Sequence, residues 1–94
     1  MFTYTTANAI KLMLTGLNMT NIEYDEDAAV ITCDHVRSWT TIDFTITPGD
    51  QDDLVNVCYE KSTRCNRAPN QEIEFVTRFD NLAYELCNVL ERNA

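Results

Sequence analysis

Residues 70–92 read NQEIEFVTRFDNLAYELCNVLER and form the longest stretch of this chain with a regular apolar pattern. Apolar side chains recur there at spacings of three and four residues, which is typical of one face of an amphipathic helix. They are Phe75, Phe79, Leu82, Leu86, Val89 and Leu90, with Val76 and Ala83 widening the stripe. Pro69 ends the preceding segment, and Asn70 is a suitable N-terminal cap. The stretch therefore predicts one long helix over residues 70–92, on which the rest of the chain packs.

A first helix is predicted over residues 6–18. Its apolar residues follow the same spacing and are Ile10, Met13, Leu14 and Leu17. Thr5 or Thr6 is expected to cap its first turn. Asn18 or Asn21 is expected to help close its C-terminal end.

Between the two helices, the pattern favours β-strands separated by turns and connections. The clearest strand contains Ile42, Phe44 and Ile46, which alternate with polar neighbours. The four predicted strands are residues 21–25, 28–33, 38–47 and 54–61. The predicted turns are residues 25–27 and 48–53, and the predicted connections are residues 34–37 and 62–69.

This order of elements predicts an α+β fold, α-β-β-β-β-α, in a single domain over residues 1–94. Short links between the strands favour an antiparallel four-stranded sheet, with both helices packed on one face. The opposite, open face is then expected to carry Glu23, Asp25, Thr41, Asp43, Thr45, Asn56 and Glu60. An open face of this kind is also a candidate surface for a homodimer.

Net charge is the strongest feature of the composition, because 15 acidic residues stand against 7 basic ones, for a formal charge of −8. Such a chain is repelled by nucleic acid and anionic lipid and is attracted to basic protein surfaces. Solubility alone is the alternative explanation of the charge. The N-terminus lacks a secretory pattern and no apolar run is long enough to span a membrane, so we expect a cytoplasmic protein with reduced cysteines.

No cofactor, metal or catalytic motif is found. Cys33, His35, Cys58 and Cys65 are the side chains suited to zinc, but their spacing matches no recurring zinc module. His35 is the one histidine, and no nucleophile elbow, phosphate loop or metalloprotease helix accompanies it. The chain is therefore expected to be non-enzymatic and free of cofactors. A small metal-binding or enzymatic domain that uses His35 and the thiols is the least favoured alternative.

Carboxylates are the better candidates for function. Two clusters lie in predicted turns that a meander places at the same end of the sheet, and together with the open face they would form one negative surface. Carboxylates so arranged can imitate the phosphates of a nucleic acid and occupy a basic groove. Trp39 falls outside the strand alternation and is either a partner contact or an edge of the core. The candidate partner-binding residues are Glu23, Asp25, Glu26, Asp27, Trp39, Asp43, Asp50, Asp52 and Asp53.

In size, acidity and its helices packed on a small antiparallel sheet, the whole chain resembles phage-encoded anti-defence proteins of the anti-CRISPR type. The resemblance is one of gross character, without a shared motif, so no functional residue is carried over from it. It implies a stoichiometric inhibitor that blocks the nucleic-acid-binding surface of a bacterial effector complex, in the cytoplasm of the host cell. An immunity protein or antitoxin that caps a toxin's active site is the alternative function.

Overall fold

An antiparallel sheet with a helix before it and a helix after it forms the fold in the computed structural model, which describes residues 2–37, 40–63 and 72–93. Within those residues the sheet has five strands, in the spatial order β1-β2-β3-β4-β5. The elements are α1 (Tyr4–Gly16), β1 (Thr20–Asp25), β2 (Val30–Arg37), β3 (Thr40–Pro48), β4 (Leu54–Thr63), β5 (Glu72–Arg78), a 3₁₀ turn (Phe79–Asn81) and α2 (Leu82–Arg92). The α+β class and the antiparallel arrangement agree with the sequence prediction, but the predicted four-stranded α-β-β-β-β-α order is wrong.

The error lies in the long C-terminal helix, whose first half is the strand β5. Residues four apart, such as Phe75 and Phe79, lie on the same side of a helix and also on the same side of a strand. That spacing therefore does not distinguish the two structures. Residues three apart do distinguish them, and Val76, which a helix would place with Phe79 in the stripe, is 59% exposed. Antiparallel pairing with β4 from Leu54–Arg78 to Glu60–Glu72 makes this segment a strand.

The strand β2 is also longer than the sequence suggests. Residues 34–37 were expected to form a connection, but they pair with β3 from Asp34–Asp43 to Arg37–Thr40. Their alternation continues that of Ile31 and Cys33, which are buried. Asp34 therefore lies inside the sheet, beside Asp43, and belongs to the candidate site described below.

Helix α1 is close to its predicted extent but begins earlier. Thr3, not Thr5 or Thr6, caps it, because the Thr3 hydroxyl accepts a hydrogen bond from the backbone amide of Thr6 at 3.1 Å. At the other end Asn18 has a φ of 62°, and the amide of Met19 donates to the carbonyl of Leu14 at 3.0 Å. A left-handed residue followed by this hydrogen bond is a Schellman ending, so the prediction that Asn18 helps to close the helix is confirmed.

The core lies between the two helices and one face of the sheet. Side chains from both helices and from β2, β3 and β4 form one buried cluster there. Its fully buried members include Ile10, Leu14, Leu82, Leu86 and Val89 from the helices and Ile31, Phe44, Ile46, Val55 and Val57 from the strands. Burial of these side chains is the main stabilising contribution to the fold. The described residues contain no helix that is both long and apolar enough to cross a membrane.

Candidate functional site

The face of the sheet that points away from the helices is acidic. Because side chains alternate along a strand, the neighbours of the buried positions in β2, β3 and β4 all project to this open side. Carboxylates occupy it on every strand of the sheet, and we call the following six residues the acidic face: Glu23, Asp34, Asp43, Glu60, Glu72 and Glu74. Among the described strand residues that project to this side, Arg78 is the one basic side chain.

Four of these carboxylates form one row across neighbouring strands. The strand register pairs Asp34 with Asp43, Asp43 with Glu60, and Glu60 with Glu72. Directly opposed residues in an antiparallel pair have Cβ atoms about 4.5–5.5 Å apart, and like charges at that distance are destabilising. The sheet therefore holds a row of mutually repelling groups that its own stability does not require.

The hydrogen-bonding pattern between β4 and β5 brings Glu60 and Glu72, at one end of the row, especially close. The amide of Phe79 donates to the carbonyl of Asp53 at 2.8 Å, so these two residues form a hydrogen-bonded pair between β5 and β4. Such pairs recur at every second residue, and the pairs between them have closer side chains. By this alternation Glu60 and Glu72 form one of the closer pairs.

The same reasoning applies to Asp34 and Asp43. The amide of Gly49 donates a hydrogen bond to the carbonyl of Leu54 at 2.9 Å, so Gly49 and Leu54 form a hydrogen-bonded pair between β3 and β4. Counting back by two residues at a time, Asp43 and Glu60 form another hydrogen-bonded pair. The backbone groups of Asp43 therefore point to β4, and its pairing with Asp34 on β2 is of the closer type.

The close approach of Asp34 makes Asp43 hold its proton more tightly than an ordinary aspartate does. A hydrogen bond to Asp34, followed by desolvation and by the charges of Asp34 and Glu60, raises the pKa of Asp43 from 3.8 to about 6. Asn21 supports the pair from β1, since its side-chain amide donates to Asp34 Oδ2 at 2.9 Å. Asp43 is therefore largely ionised at neutral pH, and in mild acid its protonation relieves its repulsion with Asp34 and Glu60.

Cys58 lies in the adjoining row of the same face. Its thiol donates to Glu72 Oε1 at 2.8 Å, and Glu74 lies directly opposite it. Desolvation first, then the hydrogen bond to Glu72 and the charges of the neighbouring acids, raises the pKa of Cys58 to about 11. These residues line a shallow pocket of about 590 Å³ that is open to solvent.

A metal ion could use one ligand atom from each of Cys58, Glu72 and Glu74, because these atoms all lie within 4.8 Å of one another. One thiolate and two carboxylates would fill three positions of a tetrahedral zinc site. The thiol keeps its proton at neutral pH, however, and an ion would have to displace it.

Of the metal ligands considered from the sequence, the three that the structure describes are divided between the two faces of the sheet. Cys33 is buried on the core side of the sheet, whereas Cys58 projects to the open side, so the sheet separates them. Burial first, and then the charges of the neighbouring acids, raises the pKa of Cys33 to about 12. His35 lies on the core side, with its Nδ1 buried and without a hydrogen-bond partner among the described residues. Cys65 lies outside the described residues.

In the first predicted acidic turn, Asp25 has a structural role. Asp25 ends β1, and its Oδ1 accepts hydrogen bonds from the amides of Asp27 and Ala28 at 3.0 and 3.2 Å. This is ordinary turn chemistry for an aspartate. Glu26 and Asp27 are exposed in the same turn.

The second predicted acidic turn, between β3 and β4, also carries exposed carboxylates, on Asp50, Asp52 and Asp53. The register places it at the same end of the sheet as the first turn, because Asp25 pairs with Val30 there and Pro48 with Val55. Both turns therefore lie beyond the ends of the strands and flank the acidic face.

Sequence reasoning placed Glu23, Asp43 and Glu60 on the open face, and the structure has them there. It missed Asp34, Glu72 and Glu74, because the sequence pattern predicts a connection for the first segment and a helix for the second. The signal was present in the two-residue alternation of residues 30–35 and 72–77. Trp39 lies outside the described residues.

Comparison of the chain with protein-family models, with curated proteins and with solved structures gave no significant match.

Proposed function

We propose that this chain is a non-enzymatic acidic inhibitor whose acidic face occupies the basic nucleic-acid-binding surface of a bacterial defence complex in the host cytoplasm. The observation that carries the proposal is the row formed by Asp34, Asp43, Glu60 and Glu72. Natural sheets avoid like charges directly opposite one another, because each such pair lowers stability. Solubility is served equally well by carboxylates scattered over the surface, so a row needs a different reason.

The dimensions of the row suit a groove that binds a phosphate backbone. Neighbouring strands lie about 4.8 Å apart, so a row across four strands spans about 14 Å with one carboxylate at each step. A strand of B-DNA carries one phosphate per about 3.4 Å of helix axis, which is a charge spacing of the same order. Glu23 and Glu74 lie in the next row, about 7 Å along the strands, and widen the charged surface.

A rigid scaffold strengthens this role. The acidic face is built on paired strands over a buried core, so little backbone freedom is lost when a partner binds. A partner rich in lysine and arginine would also favour the ionised form of Asp43. Binding should therefore weaken as the pH falls through about 6, the pKa of Asp43.

The experiment is affinity capture with a triple variant, Asp34→Asn, Asp43→Asn and Glu60→Gln, compared with the unchanged chain. Lysates of bacteria that carry DNA-targeting defence complexes are passed over the tagged protein at about 0.05 M and about 0.5 M salt. We expect a nucleic-acid-binding complex to be retained at low salt and released at high salt. The triple variant should lower its retention by at least roughly tenfold, and added DNA should compete.

A matched control carries the same change of charge away from the row, as Asp27→Asn, Asp50→Asn and Asp52→Asn in the two turns. If this control loses binding as fully as the row variant, net charge and not the row determines binding. If the retained protein is a single toxin that stays bound at high salt and is not displaced by DNA, the inhibitor role is wrong and the immunity role replaces it.

A further inference from the structure

The strand β5 leaves one of its edges unpaired within the described part of the sheet. It is the last strand in the order and hydrogen bonds to β4 alone. A strand edge presents a row of free amide and carbonyl groups and readily accepts another strand. Which groups these are follows from the Phe79–Asp53 hydrogen bond. Since bonded pairs recur at every second residue, the odd-numbered residues of β5 bond to β4 and the even-numbered ones direct their backbone groups outwards.

We propose that two copies of this chain associate through antiparallel pairing of their β5 strands, centred on Phe75. In this arrangement the backbone groups that point outwards meet one another. Glu72 accepts a hydrogen bond from the amide of Arg78 of the second copy, and Glu74 exchanges two with Val76 of the second copy. The carbonyl of Arg78 is not counted, because Arg78 is the N-cap of the 3₁₀ turn and its carbonyl also accepts from the Thr77 hydroxyl at 3.5 Å. Two-fold symmetry repeats these bonds, which gives about six backbone hydrogen bonds.

Charge complementarity supports this register. When the two β5 strands overlap over their whole length, each Glu72 lies opposite Arg78 of the other copy. The contact therefore gains two ion pairs on the open face. Among the described residues Arg78 forms an ion pair with Asp80 at 3.5 Å, and both side chains are more than half exposed. Exposed pairs of that kind contribute little, so Arg78 can change partners at small cost. If the register were shifted by two residues, so that the symmetry axis passed through Glu74, the Glu74 side chains of the two copies would face each other.

The other side of the strand supplies apolar contacts. Phe75 lies on the symmetry axis, half-buried, with its ring centroid 6.3 Å from that of Tyr59. Aromatic residues directly opposed across strands form a favourable pair. Ile73, which is 43% exposed, would lie against Thr77 of the second copy.

The remaining surfaces suit self-association less well. The other edge strand, β1, has an irregular register between Thr20 and Glu23 and a left-handed residue at Asn21 with φ of 54°. Irregular edges of this kind discourage further pairing. Contact between two open faces would oppose carboxylates with carboxylates. The β5 edge is regular and carries both signs of charge.

Sedimentation equilibrium, at concentrations from about 10 μM to about 1 mM, tests the proposal, since a contact of this size is expected to be weak. The single variants Glu72→Arg and Arg78→Glu should each raise the dissociation constant by at least roughly tenfold, because each opposes like charges. An equimolar mixture of the two variants should again form dimers, because arginines then face glutamates at both ends. Val76→Pro should also abolish the dimer, since it removes an amide that points outwards and not one bound to β4.

A control substitution, Glu91→Arg on α2, changes the charge equally and should leave the dimer unchanged. Circular dichroism checks that each variant keeps its fold. A chain that stays monomeric at the highest concentration overturns the proposal, and so does a mixture of the two charge variants that forms no dimer. Stronger association after Asp43→Asn would show that the open face is the interface instead. Self-association is measured without any partner protein, so its failure leaves the proposed role of the acidic face intact.

Discussion

Replacing Asp43 with asparagine should make the protein more stable at neutral pH and make that gain disappear in acid. Asp43 is paired with Asp34 on one side and with Glu60 on the other. At neutral pH all three carboxylates repel one another. The amide of Asn is uncharged and can donate to Asp34, which replaces a repulsion with a hydrogen bond.

The magnitude follows from the raised pKa of Asp43. A shift from 3.8 to about 6 corresponds to a ceiling of about 3 kcal/mol, at about 1.4 kcal/mol per pKa unit. Asp43 is exposed, so solvent screens the interaction and we expect about 1 kcal/mol. Because the folded chain holds this proton more tightly than the unfolded chain, the stabilisation is fully present below pH 3.8 and is lost as the pH rises through about 6.

Urea denaturation of the wild type and of Asp43→Asn, at about pH 4 and at about pH 7, measures the effect as a difference in the free energy of unfolding. We expect the variant to be about 1 kcal/mol more stable at neutral pH and the two proteins to be nearly equal in acid. Asp50→Asn, in the turn between β3 and β4, is the matched control for net charge. A variant less stable than the wild type at neutral pH, or an advantage that does not change with pH, would refute the raised pKa of Asp43.

Four further outcomes follow from packing and burial. Phe44→Ala should lower the free energy of unfolding by about 3–5 kcal/mol in urea denaturation, because the side chain is 1% exposed in the core. Gly16→Ala should raise the free energy of unfolding by about 0.5–1 kcal/mol, and with it the melting temperature, since the added methyl group meets no atom within 4 Å. Gly49→Ala should lower it, since its Cβ would lie 2.7 Å from Leu54 Cβ and the turn would have to shift; equal effects of the two glycine substitutions would contradict both expectations. Cys58 should be alkylated about a hundredfold more slowly than an ordinary thiol at pH 8, as measured by mass spectrometry of the labelled peptide, because its pKa is about 11; labelling at the ordinary rate would contradict the raised pKa.

Sequence patterns predicted well where the local period is unambiguous. The alternation of Ile42, Phe44 and Ile46 predicted β3, and the spacing of Ile10 and Leu14 predicted α1. In β3 the buried side chains are those that the pattern indicated. In α1 Ile10 and Leu14 are buried as predicted, whereas Met13 and Leu17 are half-buried and Ala7, which the pattern did not indicate, is also buried. The pattern failed in β5, because Phe75 and Phe79 satisfy a helix and a strand equally, and only the pairing partner in β4 decides between them.

The candidate site shows the same division. Glu23 and Asp43 could be assigned to the open face from alternation alone, whereas Asp34 and Glu72 could not, because each lies in a segment whose structure depends on a neighbouring strand. Trp39, the one candidate of the prediction that is not acidic, lies outside the described residues. The sequence also predicted that both clusters of turn carboxylates lie at one end of the sheet, and they do. The closest carboxylate pairs, however, lie within the sheet.

By itself, the sequence determined the charge of −8, the α+β class and the apolar residues available for a core, since these depend on composition and on local period. Only the tertiary structure decided that four carboxylates lie in one row. Asp34, Asp43, Glu60 and Glu72 are far apart along the chain, and their neighbourhood is set by the register of three strand pairings. A change of register by one residue would turn a strand's carboxylate to the other face, because side chains alternate along a strand.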